Sequence, residues 1–531
     1  MPIYSVPRLK ACDNCAKAKI KCDPDTSWTK CKRCCIQGLE CVLREPVQRK
    51  RRKLYPEAES MSVAQVSVIG GTSAFSLQEL MRGIEYYHGS LAAYFPFMAL
   101  SSTQQACSEF VEEKPFLCKV LAMLGCTPNR ERRRELAVQC RQHLTTHALQ
   151  VGTKSLDLLQ GLLVMIYWYH YQNELPMQRI VYIHLCMSMV VDLGLSKSPF
   201  QRTRLKKPSD TANGYEVDME GVVNHNLEEK RALLGCFFIS SLAMNMDAMR
   251  FSEYMEDCTE DLEKSQLPSD QELARMVRLR QLFEEFEAAR RSLAQERRRR
   301  AAFVLPEVTS PVHFVGFWEE RIDEYWRHVP EASKTDFLRS KYDHIRLCLF
   351  EICLEESMFD STLERLVILQ KCLTTVKSQL EQYLFSDCFG PPTMLVLPHH
   401  YFHESNHAMY VAIQLWLLKC EGWSRQQVQH DLNLVKVIET ATQWVERLRE
   451  FMPYQAIPEF FILMQPVGYA IKKWYDARLQ KLEEEESVLS QMDPPGQAEN
   501  EVEFESFWGQ FMNPDDSVWL QSLLDESTSF G

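Results

Sequence analysis

No stretch of this 531-residue sequence stays apolar over the ~20 residues that a helical bilayer crossing needs. The most apolar run, LLQGLLVMIYWYHYQ at 158–172, is too short and too polar at its edges, and reads as a buried helix. No contact with a membrane is expected. The first ten residues, MPIYSVPRLK, lack the apolar segment of a secretory signal, so export to an oxidising compartment is not expected either. Twelve of the 19 cysteines are scattered singly, and in a reducing compartment they should be buried, unpaired, apolar-like side chains. No alternating strand pattern recurs and no fixed-period repeat is evident, which excludes a sheet fold and a solenoid. Histidine is absent from residues 1–55, so any soft metal ligand there must be a cysteine.

Charge is distributed unevenly. Residues 1–55 hold 14 Lys and Arg against 5 Asp and Glu, although the whole chain carries −12. A basic head on an acidic body points to a polyanion partner at the head alone, with attraction to the chain's own acidic body as the competing reading. The organisation that follows is a head over 1–45, a basic linker over 46–75, an all-α body over 76–485, and a linker with an acidic, aromatic tail over 486–531. In the linker, Arg49, Lys50, Arg51, Arg52 and Lys53 form a compact run suited to nuclear import or to phosphate contact, or else a solvated spacer. In the body, Ser76 is a natural N-cap, and Pro176 and Gly194 bracket a helix with a proline start and a glycine stop. Further helices are expected near 271–300, 340–358, 361–386, 400–421, 425–452 and 457–482.

The other seven cysteines lie within residues 12–41, in CDNCAKAKIKCDPDTSWTKCKRCCIQGLEC. Cys12, Cys15 and Cys22 give C-x2-C-x6-C, and Cys31, Cys34 and Cys41 give the same spacing again. Zinc takes four thiolate or imidazole ligands in a tetrahedron. Two zincs need about eight ligand positions and six cysteines supply six, so two thiolates must bridge both metals. Cys35 is left over, because using it in place of Cys34 breaks the repeated spacing. Six thiolates and two zincs carry about −2, a charge that would repel DNA. Lys10, Lys17, Lys19, Lys21, Lys30, Lys32 and Arg33 reverse it. DNCAKAKIK suits a short helix whose end can enter the major groove, where lysine donates to guanine O6 and N7. A zinc-stapled fold with no nucleic-acid role, or a thiol metal store, is the competing reading.

The two halves, ACDNCAKAKIKC and CKRCCIQGLEC, resemble the fungal binuclear zinc cluster, the Zn(II)2Cys6 DNA-binding module. The resemblance implies two Zn2+ per cluster, bridging by Cys12 and Cys31, double-stranded DNA as partner, CGG-like half-sites and a nuclear location. It also implies that Lys19, three residues before the third cysteine, reads base edges, while Lys17 and Lys21 beside it contact phosphates. The family usually carries basic residues where this chain has Ala16 and Ala18, and its proline before the fourth cysteine is missing, with Pro24 early in the loop instead. Weaker or altered half-site recognition is the consequence, with Lys17 as the available substitute.

The body resembles the regulatory middle region of the same factors. EYYHGSLAAYFPFMAL (85–100), SLDLLQGLLVMIYWYHY, IHLCMSMVVDLGLS (183–196) and EEKRALLGCFFISSLAMNMDAMR (228–250) follow its order. The family's tryptophan is replaced near Gly235, and the closing turn is reduced to Met249-Arg250-Phe251. The resemblance implies a helical domain answering a small-molecule effector or a partner, against a plain scaffold. Inside the body, HESNH at 403–407 fits the H-E-x-x-H pattern, with His403 and His407 as zinc ligands and Glu404 as base. His399 lies four residues earlier; no carboxylate partner is flagged by the sequence, although Glu421 can be nominated. The pattern's usual extension is absent, and a zinc hydrolase ranks third among the readings, with the chain expected not to be an enzyme.

Residues 498–531 hold eight Asp and Glu, no Lys or Arg, and six Phe and Trp. Such a composition is expected to stay disordered and to fold on binding. Phe504, Phe507, Trp508, Phe511, Trp519, Leu520, Leu523 and Leu524 are expected to meet a coactivator groove, which points to an activator of RNA polymerase II transcription; an acidic solubilising tail, or a segment folding back on the body, is the competing reading of the tail. A repressor or interaction scaffold with the same reader is the alternative. A homodimer is left open: residues 54–76 show no heptads, and Arg290 breaks the seam formed by Met276, Leu279, Phe283 and Phe286, so that stretch reads as a long helix of the body ending in QERRRR (295–300).

Overall fold

The computed structural model describes Cys12, Asn14, Cys15, Cys22, residues 30–39 and Cys41 of the head. In the body it describes 75–101, 108–126, 129–172, 178–198, 224–242, 249–302, 310–385 and 390–489. The chain divides into two units, Met1–Thr72 and Ser73–Gly531. The basic linker and the acidic tail lie outside the described residues, as do Lys10, Lys17, Lys19 and Lys21.

In the first unit Asn14 and Cys15 are helical, and α1 spans Lys32–Ile36. Its N-cap is Cys31, whose sulfur accepts the Cys34 N–H. It stops at Gly38, which adopts a left-handed φ of 66°. The Leu39 N–H then closes on the Cys34 carbonyl at 2.9 Å, so the chain can turn back toward Cys41.

The second unit is helical, with no strand among the described residues. In chain order its helices are α2 (Leu77–Tyr86), α3 (Ser108–Glu113), α4 (Pro115–Gly125), α5 (Arg130–Leu144), α6 (Leu156–Tyr167) and α7 (Arg179–Asp192). They continue with α8 (Leu227–Ser241), α9 (Glu253–Glu263), α10 (Pro268–Ala302), α11 (Pro311–His328), α12 (Asp336–Phe350) and α13 (Thr362–Phe385). The last are α14 (Pro391–Met394), α15 (His399–Leu417), α16 (Arg425–Leu432), α17 (Leu434–Thr442), α18 (Trp444–Arg449) and α19 (Glu459–Leu489). No helix among the described residues is long and apolar enough to cross a membrane.

Local chemistry explains several boundaries. Ser76 caps α2 in a reciprocal box: its hydroxyl accepts the Glu79 N–H, and the Glu79 carboxylate accepts the Ser76 N–H. Asn226 and Glu229 repeat the arrangement at α8. The N-terminus of α4 is capped from a distance, because the Asp157 carboxylate accepts the Phe116 and Leu117 N–H groups at 2.9 and 2.8 Å. Gly194, with a φ of 75°, ends the segment that follows α7. The apolar run of the sequence becomes α6 and a tight turn over Tyr169–Gln172, buried throughout.

One contiguous apolar core runs through this unit. α8 is buried on nearly every side, as a helix without a polar face must be. Its two cations are neutralised locally, Lys230 by Asp261 and Arg231 by the fully buried Asp270. α2 and α4 cross at glycine: a Cβ on Gly83 would lie 2.2 Å from the Leu121 carbonyl oxygen, and one on Gly125 would lie 2.5 Å from the Gly83 nitrogen. Gly235 leaves room for the Phe97 ring, where a Cβ would sit 2.9 Å from the Phe97 Cβ.

One expectation needs correction. The segment 425–452 forms three short helices, because Asn433 takes a left-handed φ of 46° between α16 and α17 and then caps α17 through Lys436 N–H. The Met276, Leu279 and Phe286 stripe, by contrast, lies as expected on a long helix of the body, α10, and is buried in the body's own core. The described scattered cysteines are free thiols and, Cys420 apart, buried.

Candidate metal centre

Four sulfurs in the head converge. Those of Cys12, Cys15, Cys31 and Cys34 lie within 4.8 Å of one another, and all four residues are buried. Cys22 and Cys41 pack against this group, and Cys35 is exposed. The Cys12 sulfur is 3.8 Å from that of Cys31 and 3.7 Å from that of Cys34, and the Cys15 and Cys31 sulfurs are 3.7 Å apart. A zinc–thiolate tetrahedron with bonds of ~2.3 Å has sulfur–sulfur edges of about 3.8 Å, so these residues fit zinc.

The repeated spacing folds into repeated contacts. The Cys12 N–H donates to the Cys22 sulfur at 3.4 Å, and the Cys31 N–H to the Cys41 sulfur at 3.3 Å. The Cys34 N–H donates to the Cys31 sulfur at 3.4 Å, which holds the Cys31 thiol down at about 6. Cys12 is lowered in the same way, chiefly by the Cys15 N–H. Burial, followed by the neighbouring thiols, raises Cys34 and Cys15. Cys22 accepts the Cys12 N–H, yet burial and the adjacent sulfurs push it up to about 12. Two sulfurs per cluster are thus favoured as anions by backbone dipoles, while the others need a cation beside them to ionise. Cys12 and Cys31 are the pair that the resemblance assigns as bridges.

Three of the head's cations fall on described residues. Lys30 and Lys32 are exposed, and Arg33 turns one guanidinium nitrogen to 4.0 Å from the Cys15 sulfur. Lys32 can therefore reach a polyanion freely, whereas Arg33 is partly committed to the cluster.

HESNH does not assemble as a hydrolytic centre. His403 Nε2 faces His399 Nε2 at 3.2 Å. Glu404 is buried and paired with Lys341 of α12, with the Tyr383 hydroxyl 3.4 Å away, so its carboxylate has no path to a metal-bound water. His407 turns to Glu351, with Nε2 2.7 Å from the carboxylate. Burial and neighbouring cations push His399 and His400 well down, and burial lowers His403 to about 3, so these rings stay neutral. Sequence reasoning missed the α12 partners, because Lys341 carries no motif.

The chain is similar to transcription factor himD of Aspergillus japonicus, 26% identical over an alignment of 325 residues, with 53% of each chain covered. It is also similar to transcription factor opdL of Penicillium oxalicum, 23% identical over 491 residues and 82% of each chain. Transcription factor pbcR of Emericella nidulans is 24% identical over 368 residues, 52% of this chain and 47% of that one. The chain thus spans about half the length of himD and of pbcR and most of opdL. No family model matches it, and no solved structure matches it. The chain is therefore a homologue of fungal transcription factors, with a buried cysteine cage consistent with the binuclear zinc-cluster type that its sequence resembles.

Proposed function

We propose that the chain is a nuclear, sequence-specific DNA-binding regulator that activates RNA polymerase II transcription. Its head reads CGG-like half-sites on double-stranded DNA. Two zincs are held by Cys12, Cys15, Cys22, Cys31, Cys34 and Cys41, with Cys12 and Cys31 bridging. Lys19 reads base edges, Lys17 and Lys21 contact phosphates, and Lys10, Lys32 and Arg33 supply further positive charge. The run 49–53 serves nuclear import. The body transmits a small-molecule or partner signal, and the tail, through residues such as Phe504, Phe507, Trp508, Phe511, Trp519 and Leu520, engages a coactivator. The role is regulatory, not enzymatic.

The observation that carries this reading is the convergence of the Cys12, Cys15, Cys31 and Cys34 sulfurs at zinc-tetrahedron spacing, in a segment rich in lysine. The decisive experiment compares the zinc content of the full chain with that of a full chain carrying serine at all six cysteines. A difference of two zincs is expected, and a difference of one or none would refute the binuclear head. Lys19→Ala should cost about 1–3 kcal/mol at the preferred site and relax specificity there, while Lys17→Ala should weaken binding evenly across sequences. Residues 498–531 fused to an unrelated DNA-binding domain should switch on a reporter; a silent reporter would favour a repressor or scaffold role.

A further inference from the structure

The helical unit contains a second set of metal-type donors, and one member is the half of HESNH left unused above. His344 and Cys348 stand four residues apart on α12 and share a face. His407 projects from α15, which packs against α12. Donor atoms of the three lie within 4.8 Å of one another. The Cys348 sulfur is 3.6 Å from His344 Nε2, and the two imidazoles stand 5.3 Å apart at 75°, splayed rather than stacked. Glu351, in the turn that follows α12, brings a carboxylate oxygen to 2.7 Å from His407 Nε2. Cys348 and His407 are buried.

The surroundings are incomplete in a way that suits a ligand. His407 Nδ1 is buried without a hydrogen-bond partner. Gln379 Nε2 lies 3.4 Å from His344 Nδ1, while Gln379 Oε1 is buried with no partner. A half-turn of that amide would let Oε1 accept the His344 Nδ1 proton, freeing Nε2 as a lone pair beside the thiol. This is the outer hydrogen bond that a metal-bound histidine usually makes.

We propose that His344, Cys348 and His407, completed by Glu351, form a binding site for a divalent cation of zinc type, separate from the head. Two neutral imidazoles, one thiolate and one carboxylate neutralise a divalent charge, so the complex is electrically neutral in a buried place. Mixed nitrogen and sulfur donors select zinc-like ions over magnesium or calcium. On binding, the cation displaces the Cys348 thiol proton and any proton on His407, which leave to solvent, and no redox step is involved. The bound ion would tie α12 and its following turn to α15.

The test uses the full chain with serine at the six head cysteines, equilibrated with Zn2+ and freed of excess metal. One zinc per chain is expected, with a thermal midpoint that rises with zinc and falls on chelation. His407→Gln and Cys348→Ser should each remove the bound zinc and the zinc-dependent shift. Because His407→Gln also breaks the contact with Glu351 and can impair folding, Co2+ provides a second readout. A thiolate-to-cobalt absorption band should appear in the head variant and vanish with the near-isosteric Cys348→Ser. The proposal is overturned if the head variant keeps no zinc and its midpoint ignores zinc. It is equally overturned if the zinc survives His344→Gln, Cys348→Ser and His407→Gln together, which would mark an ion bound elsewhere.

Discussion

Single side chains divide sharply at neighbouring positions. Cys34 lies in the sulfur cage and Cys35, one residue on, is exposed, because α1 points successive residues about 100° apart. Cys34→Ser should release zinc from the full chain and Cys35→Ser should not, as metal content will report. That contrast was legible in the sequence, since metal-ligand spacing is a local property written into C-x2-C-x6-C. The partners of HESNH were not legible: Lys341, Glu351 and His344 come from other elements and are fixed only by packing. Glu79 offers a residue-scale test with a defined sign. Hydrogen bonds from Arg132, and then from Ser76, hold its carboxyl down at about 2 against an ordinary 4.5. The folded-state value is depressed, so the stabilisation is present above pH 4.5 and fades as pH falls toward 2. Glu79→Gln should therefore cost about 1–2 kcal/mol near neutrality and much less near pH 2, measured by thermal or urea unfolding across pH.

At the scale of elements, the body depends on close approach. α2 and α4 meet through Gly83 and Gly125 with no space for a methyl group on either side. Gly83→Ala or Gly125→Ala should destabilise the body by about 1–3 kcal/mol, seen as a lower unfolding midpoint, despite alanine's better helix propensity. A similar loss is expected for Asp157→Ala, which strips the cap from α4 and leaves two N–H groups unpaired. Helices with a clear cap or a long apolar period, such as α2, α6 and α10, were readable in advance. The division of 425–452 was not, because a single asparagine in a left-handed conformation leaves the apolar periodicity almost undisturbed. The cap on α4 was equally hidden, since Asp157 acts across 41 residues of chain.

At the scale of the whole molecule, two units with opposite charge balance share one chain. Charge and cysteine content change abruptly with position, with the basic, cysteine-rich stretch in the first unit and the acidic, helical one in the second. The relatives are named transcription factors, and their likeness supports a regulatory reading that no single site in the body supplies. If zinc shapes the head for DNA, recognition must fail without metal, whatever the state of the body. The most direct test is selection of duplexes from a random pool by the full chain at fixed salt, run with zinc, with chelator, and with Cys31→Ser. Enrichment of CGG-like sites is expected with zinc, with its loss on chelation and in the variant, and its return when zinc is restored to the unaltered chain only. Enrichment that survives chelation, or no enriched sequence with zinc present, would contradict this expectation.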